Sequence, residues 1–492
     1  MAALNFDPRM QPRPLPTTGL AILLTVAIIA RLLLIGGASL VIENDSTEYL
    51  KVANACYTSW TGGKPEPYTL SPVRMESYGW LLGAVFMLVG PSSLAVLITN
   101  HVLGAITCLL VARIGATLGA PIAGIVAAIA CALDPFLLSI GNYALNETLA
   151  FFLITSTAYA ALRIRHNVFA VLIVGALLGA ACLVRPAVQV MAPFLVLAVA
   201  LRPRIRWTRR LGLVGLSLLP FLAVVATTLK QNYDRGVYGL TPGAKTFLWV
   251  GVASRGLLDP AYVPPRDLAA TLPRDPVNPL DRPANYMNYA IVSKGLLERE
   301  ADFGAWAQAG IRAHPREYLE RVGHAVLWQL NWFPENARPD RIGEVNRYVR
   351  RLGTPGSVQF EAGLEYPGME QIYSTGSGGW VRQAAVWFDG LRLPGTPQIG
   401  IFAVAVVAMI VAVARRSWPT AMIVLASVAF LLVHAAMIVP WNRYTLPMYP
   451  LWYAGIAMLV AQIVAMTRRG TPRPAAPPSA AGVATQTPDM RT

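Results

Sequence analysis

Five groups of ionisable residues stand beside the ends of apolar runs. The first is the string Glu43-Asn44-Asp45-Ser46-Thr47-Glu48-Tyr49, directly after the first run. The second is Asn146-Glu147, at the start of another, and the rest are Arg74, Arg185, and His434 with Arg443-Tyr444. Carboxylates and arginines held at one membrane depth can bind an anionic ligand and accept a proton. Each residue also has a structural reading. A carboxylate at a helix start complements the helix dipole. An arginine near a headgroup snorkels, and a histidine on an apolar helix packs. Arg31, near the middle of an apolar run, must face the interior of a bundle. Asp134, just before Pro135, can cap the local chain.

These residues need elements to position them, and composition says what those are. The chain has 492 residues, of which 55% are hydrophobic and 14% charged, and its mean hydropathy is +0.47. Soluble domains carry about 25% charged residues. Apolar runs approaching the ~20 residues that cross a bilayer recur. They predict spans at about 18–41, 93–116, 118–140, 147–164, 168–184, 187–201, 211–229, 397–414, 418–438 and 446–467. The first is too long for an ordinary signal-peptide core and is interrupted by Arg31, so it reads as a retained span.

The net charge of +15 is not a nucleic-acid signature. The loops and tails assigned to one side of the membrane hold 16 Arg and 2 Asp, whereas 230–395 holds 19 Lys plus Arg and 17 Asp plus Glu. The excess therefore follows the positive-inside rule. Arg113, Arg163 with Arg165, the five arginines between 202 and 210, Arg415 with Arg416, and Arg468 with Arg469 all fall inside if there are ten crossings and both termini are cytoplasmic. The apolar stretch 78–90 is only about 13 residues, and parity makes it a short interfacial helix. Residues 168–201 must cross twice, which puts Arg185 at the outer tip of a hairpin.

The fold class is an all-α polytopic membrane protein with about ten transmembrane helices. The N-terminal transmembrane module covers 1–229, with its first outer loop at 42–92. A mixed, mostly helical extracytoplasmic domain covers 230–395, C-terminal transmembrane helices 396–468, and a disordered cytoplasmic tail 469–492. In the outer domain, helical spacing runs from about Ala284 to Trp332, broken or restarted at Pro315. Of Cys56, Cys108, Cys131 and Cys182, only Cys56 is outer, so no intramolecular disulfide is expected, and the others read as small apolar residues. There is no GxxxxGK[ST] loop, HExxH motif or CxxC pair. Two glycosylation-pattern triplets, at Asn44 and Asn146, hug the membrane and are taken as chance.

The chain resembles bacterial members of the type C (GT-C) glycosyltransferase superfamily, which includes protein O-mannosyltransferases and the lipid A aminoarabinose transferase. The likeness is carried by Asp45-x-x-Glu48-Tyr49 with Ala53, Gly62-Gly63, Ser71-Pro72-Val73-Arg74 and Tyr78-Gly79-Trp80-Leu81-Leu82. It continues in Pro135 with Asn146-Glu147-Thr148-Leu149, and in Gly179 with Leu183-Val184-Arg185-Pro186. Further along come His314-Pro315 with Tyr318-Leu319, and Arg443-Tyr444-x-x-Pro447 with Pro450. The order and spacing of these motifs are more specific than any one of them. The family's arginine is usually followed closely by proline and an aromatic; Arg74-Met75-Glu76-Ser77-Tyr78 lacks that proline.

The resemblance implies a sugar donor on a polyprenyl phosphate and transfer on the extracytoplasmic face of a bacterial inner membrane to an envelope glycan, lipid or protein. It implies Asp45 as base, Glu147 as second carboxylate, Arg74, Arg185 and Arg443 on the donor phosphate, and Glu48, Tyr49, His434 and Tyr444 on substrate. Some family members use a divalent metal and others none, so the resemblance assigns no cofactor. The competing readings are a transporter or flippase of lipid-linked sugars, a ligase that moves whole glycans, and a noncatalytic envelope scaffold.

Overall fold

The computed structural model describes residues 13–37, 40, 44–65, 75–134, 137–138, 140–163, 168–201, 207–234, 243–254, 257, 300–330, 396–437 and 446–467. Among these the regular structure is helical. The helices are α1 (Thr17–Gly37), α2 (Asn44–Trp60), α3 (Ser77–Val89), α4 (Ser93–Thr117), α5 (Pro121–Leu133), α6 (Glu147–Arg163), α7 (Val168–Val184), α8 (Ala192–Ala200) and α9 (Trp207–Asp234). They continue with α10 (Ala244–Ser254), α11 (Glu300–Ala313), α12 (Pro315–Gln329), α13 (Thr396–Ala414), α14 (Trp418–Met437) and α15 (Tyr449–Thr467). Short 3₁₀ segments lie at Ile140–Asn142, Pro186–Met191 and Leu446–Met448.

Each expected span contains a helix. Among the described residues, five helical stretches are long and apolar enough to cross a membrane: Thr17–Ile35, Ser93–Thr117, Trp207–Asp234, Trp418–Met437 and Leu446–Thr467. Their outer surfaces are apolar, as lipid contact requires. Ile22, Ile28, Ile29 and Leu32 of α1, and Leu219 and Leu222 of α9, are exposed.

Two breaks in the helices matter for the site, and both come from the sequence pattern X-Pro. A residue before proline is pushed out of the α region. Asp134, before Pro135, ends α5 in an extended conformation (φ −62°, ψ 118°). Arg185, before Pro186, ends α7 likewise (φ −145°, ψ 99°). The third expected span, 118–140, is therefore cut short: its helix stops at Leu133. Pro315 starts α12 after a break at His314, as the sequence predicts.

The expected first outer loop, 42–92, is largely helical. Ser46, Tyr49, Leu50 and Ala53 of α2 are buried, a spacing that marks one helical face. This face meets α3 at two glycines one turn apart. A side chain at Gly79 would meet Val52 Cβ at 2.5 Å, and one at Gly83 would meet Cys56 Cβ at 2.7 Å. Close approach of the two helices therefore depends on the missing Cβ atoms.

Inter-helix hydrogen bonds sort the helix ends into two sets. At one end, Ser77 Oγ donates to the Leu183 carbonyl (2.8 Å) and Asn146 Nδ2 to the Val184 carbonyl (2.8 Å). At the other, the Arg13 N–H donates to the Ala116 carbonyl (3.0 Å) and Arg415 to the Gln462 carbonyl. Helices α10 and α11 build a separate small core of Trp249, Val252, Leu257, Phe303 and Ala307. Helix α12 ties this region to the bundle, because Tyr318 Oη donates to the Ala436 carbonyl at 2.9 Å. That bond lies at the end of α14, close to His434.

Candidate active site

The centre of the site is an ion pair between two helix breaks. Glu147 opens α6 and Arg185 follows α7. Arg185 Nη1 lies 3.4 Å from Glu147 Oε1, with Glu147 1% and Arg185 8% exposed. Asn146 holds the two breaks in register through its bond to Val184. A buried ion pair is retained only where desolvation is offset by good contacts. It commonly marks a place where a charged ligand must be recognised.

His434 lies on α14, which packs against the 3₁₀ turn Pro186–Met191 that follows Arg185. Its ring is 3% exposed. Nδ1 lies 2.9 Å from the Phe430 carbonyl. A carbonyl can only accept, so Nδ1 carries the proton there. The ring also packs on Phe430, with centroids 4.2 Å apart.

The opposite wall comes from α2 to α4. Tyr49 is buried, and its ring meets that of Tyr78 edge-on at 5.4 Å. Tyr78 Oη donates to Asn100 Oδ1 (2.9 Å), and Asn100 Nδ2 donates to the Tyr143 carbonyl (2.7 Å). Ser77, beside Tyr78, donates to the Leu183 carbonyl two residues before Arg185. Sequence reasoning missed Tyr78 and Asn100 as parts of the site. The signal for Asn100 was available, since an amide followed by His101 inside an apolar span is costly unless it is satisfied.

Of the residues expected from the sequence, Glu147 and Arg185 meet directly, Tyr49 packs on Tyr78, and His434 bonds within its own helix. Glu48 is partly exposed on α2. Asp45 belongs to the first turn of α2, but its side chain lies outside the described residues. Glu43, Arg74, Arg443 and Tyr444 also lie outside them. A divalent cation needs several oxygen ligands. Among the described residues no three ligating side chains converge, and Glu147 faces Arg185, so no step below is routed through a metal.

Residues 77–229 match the family model described as dolichyl-phosphate-mannose-protein mannosyltransferase. That segment runs from the start of α3 into α9 and includes Tyr78, Asn100, Glu147 and Arg185. No curated protein matches the chain. Among solved structures, one similar to it is the archaeal oligosaccharyltransferase AglB from Archaeoglobus fulgidus in complex with an inhibitory peptide and a dolichol-phosphate. It has 14% identity and a TM-score of 0.46, with 92% of this chain and 51% of that one covered. Another is the Archaeoglobus fulgidus oligosaccharyltransferase in the apo form, at 12% identity, TM-score 0.42, and 89% and 50% coverage. The chain spans about half the length of these two proteins. Over residues 77–229, which hold both partners of the buried ion pair, the chain is similar to that mannosyltransferase family.

Proposed function

We propose that the chain transfers a sugar from a polyprenyl-phosphate donor to an envelope glycan, lipid or protein acceptor on the extracytoplasmic face of a bacterial inner membrane. The observation that carries this reading is the Glu147–Arg185 pair, buried at the helix breaks of a segment that matches a lipid-phosphate mannosyltransferase family.

The chemistry follows from the charges. The donor's tail stays in the bilayer and its phosphate reaches the interface. Arg185, with Arg74 and Arg443, binds that phosphate through charge-assisted contacts. Glu147 orients the Arg185 guanidinium and helps to place the acceptor, together with Glu48, Tyr49, His434 and Tyr444. Asp45 takes the proton from the acceptor hydroxyl. The acceptor oxygen attacks the anomeric carbon from the face opposite the phosphate, the carbon–oxygen bond to phosphate breaks, and its electron pair leaves on the polyprenyl phosphate. The configuration inverts. Arginine charge at the departing oxygen lowers the barrier. The region 230–395 covers the site and selects the acceptor.

The test uses membranes that contain wild type or Asp45→Asn, a panel of radiolabelled polyprenyl-phosphate sugars, and envelope extract. Wild type moves label to an acceptor. Asp45→Asn, inserted normally, loses about 100- to 10,000-fold of that rate. Full transfer by the mutant would remove Asp45 as the base. Absence of transfer with every donor, with measurable flipping of one, would replace the enzyme by a transporter.

A further inference from the structure

We infer that Tyr453, acting through Asp134, is a positioning residue for Glu147. The inference rests on the reading that Glu147 serves sugar transfer.

Between Asp134 and Glu147 the described residues are the helical Leu137 and Leu138, the 3₁₀ turn Ile140–Asn142 and the turn that leads into α6. Asp134, Leu137, Leu138, Ile140, Asn142, Ala144 and Leu145 are all buried. An interrupted helix at such a place persists only if the backbone polar groups freed at each interruption are satisfied by protein. The described bonds do this at several points. Asp134 Oδ1 accepts from the Leu137 N–H (3.0 Å), Asn142 Oδ1 lies 2.8 Å from His101 Nε2, and Asn100 Nδ2 donates to the Tyr143 carbonyl (2.7 Å). All three come from the N-terminal half of the chain.

One bond comes from elsewhere. Tyr453 of α15 donates its phenolic proton to Asp134 Oδ2 at 2.7 Å. The two residues are 319 positions apart, and both are buried, at 6% and 4% exposure. A phenylalanine would fill an apolar helix face without a polar atom to satisfy. The hydroxyl is therefore placed to hold the carboxylate that starts the connection into Glu147. Tyr453 lies outside the segment 77–229 that matches the family model. The same bond fixes α15, whose preceding 3₁₀ turn Leu446–Met448 packs on α6. Tyr453 thus couples the C-terminal helices to the carboxylate in the N-terminal module.

The experiment uses the full chain in lipid nanodiscs, as wild type, Tyr453→Phe, Asp134→Asn and Asp134→Ala. It reads kcat and KM for a polyprenyl-phosphate sugar, and amide hydrogen exchange. Because misplacement of about 1 Å can cost 100-fold in rate, Tyr453→Phe is expected to lower kcat about tenfold. Its KM stays within about twofold, and exchange rises in 137–146 while α4 is unchanged. Asp134→Asn keeps an acceptor oxygen and stays nearer to wild type than Asp134→Ala. Wild-type kcat in Tyr453→Phe, or a loss that comes with faster exchange throughout α4, would overturn the inference. If wild type transfers no sugar, the proposed function fails by itself. The exchange result then decides whether Tyr453 holds the connection, and unchanged exchange sinks that too.

Discussion

Among the described residues two arginines are buried, and their surroundings differ in kind. Arg31 sits inside the continuous helix α1, 5% exposed. It donates to the Ala27 carbonyl one turn back (3.2 Å) and to Cys108 Sγ (3.5 Å), and Gly104 of α4 gives it room. Among the described residues no carboxylate pairs with it. Arg185 sits at a helix break and faces Glu147 across to another break. The first arrangement satisfies an arginine with groups that the bundle already supplies. The second brings two opposite charges together where the backbone leaves the helix. Burial alone therefore does not tell these two arginine environments apart. The partner and the local backbone do.

The strongest way to break this comparison is Glu147→Ala. It strands a buried guanidinium, which costs about 3–5 kcal/mol, and transfer should fall at least about 100-fold. Thermal unfolding in detergent and the label-transfer assay measure both. A stable, active Glu147→Ala would put the two arginines on the same footing. Glu147→Gln should be less destabilising, because the amide oxygen still accepts from Arg185.

Paired substitutions sharpen the contrast. Arg185→Met should cost about 100-fold in kcat/KM for the donor. Arg31→Met should leave transfer within about twofold and stability within about 1 kcal/mol, since an apolar residue of similar volume replaces a buried charge at little net cost. Equal losses in the two variants would mean that Arg31 also serves the reaction. Gly104→Ala is a finer probe. Its methyl would meet Arg31 Nη2 at 3.1 Å, and the long side chain can shift. The expected cost is about 1 kcal/mol or less by unfolding, with transfer unaffected.

The smallest effect belongs to an exposed pair. Lys230 Nζ lies 2.6 Å from Asp234 Oδ2, with the side chains 76% and 56% exposed. Lys230→Ala should change stability by no more than about 0.5 kcal/mol. A larger change would show that distance alone, without burial, decides the strength of an ion pair in this protein.

Much of the fold was legible because apolar length and proline position act locally. A run of about 20 apolar residues cannot be satisfied in water, and a proline fixes the conformation of the residue before it. The breaks at Asp134-Pro135, Arg185-Pro186 and His314-Pro315 could be read in this way. Helix α2 was missed because its composition is polar and it buries only one face. Reading 42–92 as a loop overlooked the spacing of Ser46, Tyr49, Leu50 and Ala53. Cys108 was expected to act only as a small apolar residue, yet its sulfur accepts from Arg31.

By itself the sequence determined that the chain is rich in membrane-spanning apolar segments, that prolines break its helices after Asp134, Arg185 and His314, and that Glu147, Arg185 and His434 stand near helix ends. Only the tertiary structure decided which of them meet. The Glu147–Arg185 pair depends on α6 and α7 being held in register by Asn146, and the Tyr453–Asp134 bond depends on α15 packing against α5. Such pairings are set by which helix faces fit together. Residues 38 and 319 positions apart are brought together by packing and not by any local preference of the chain.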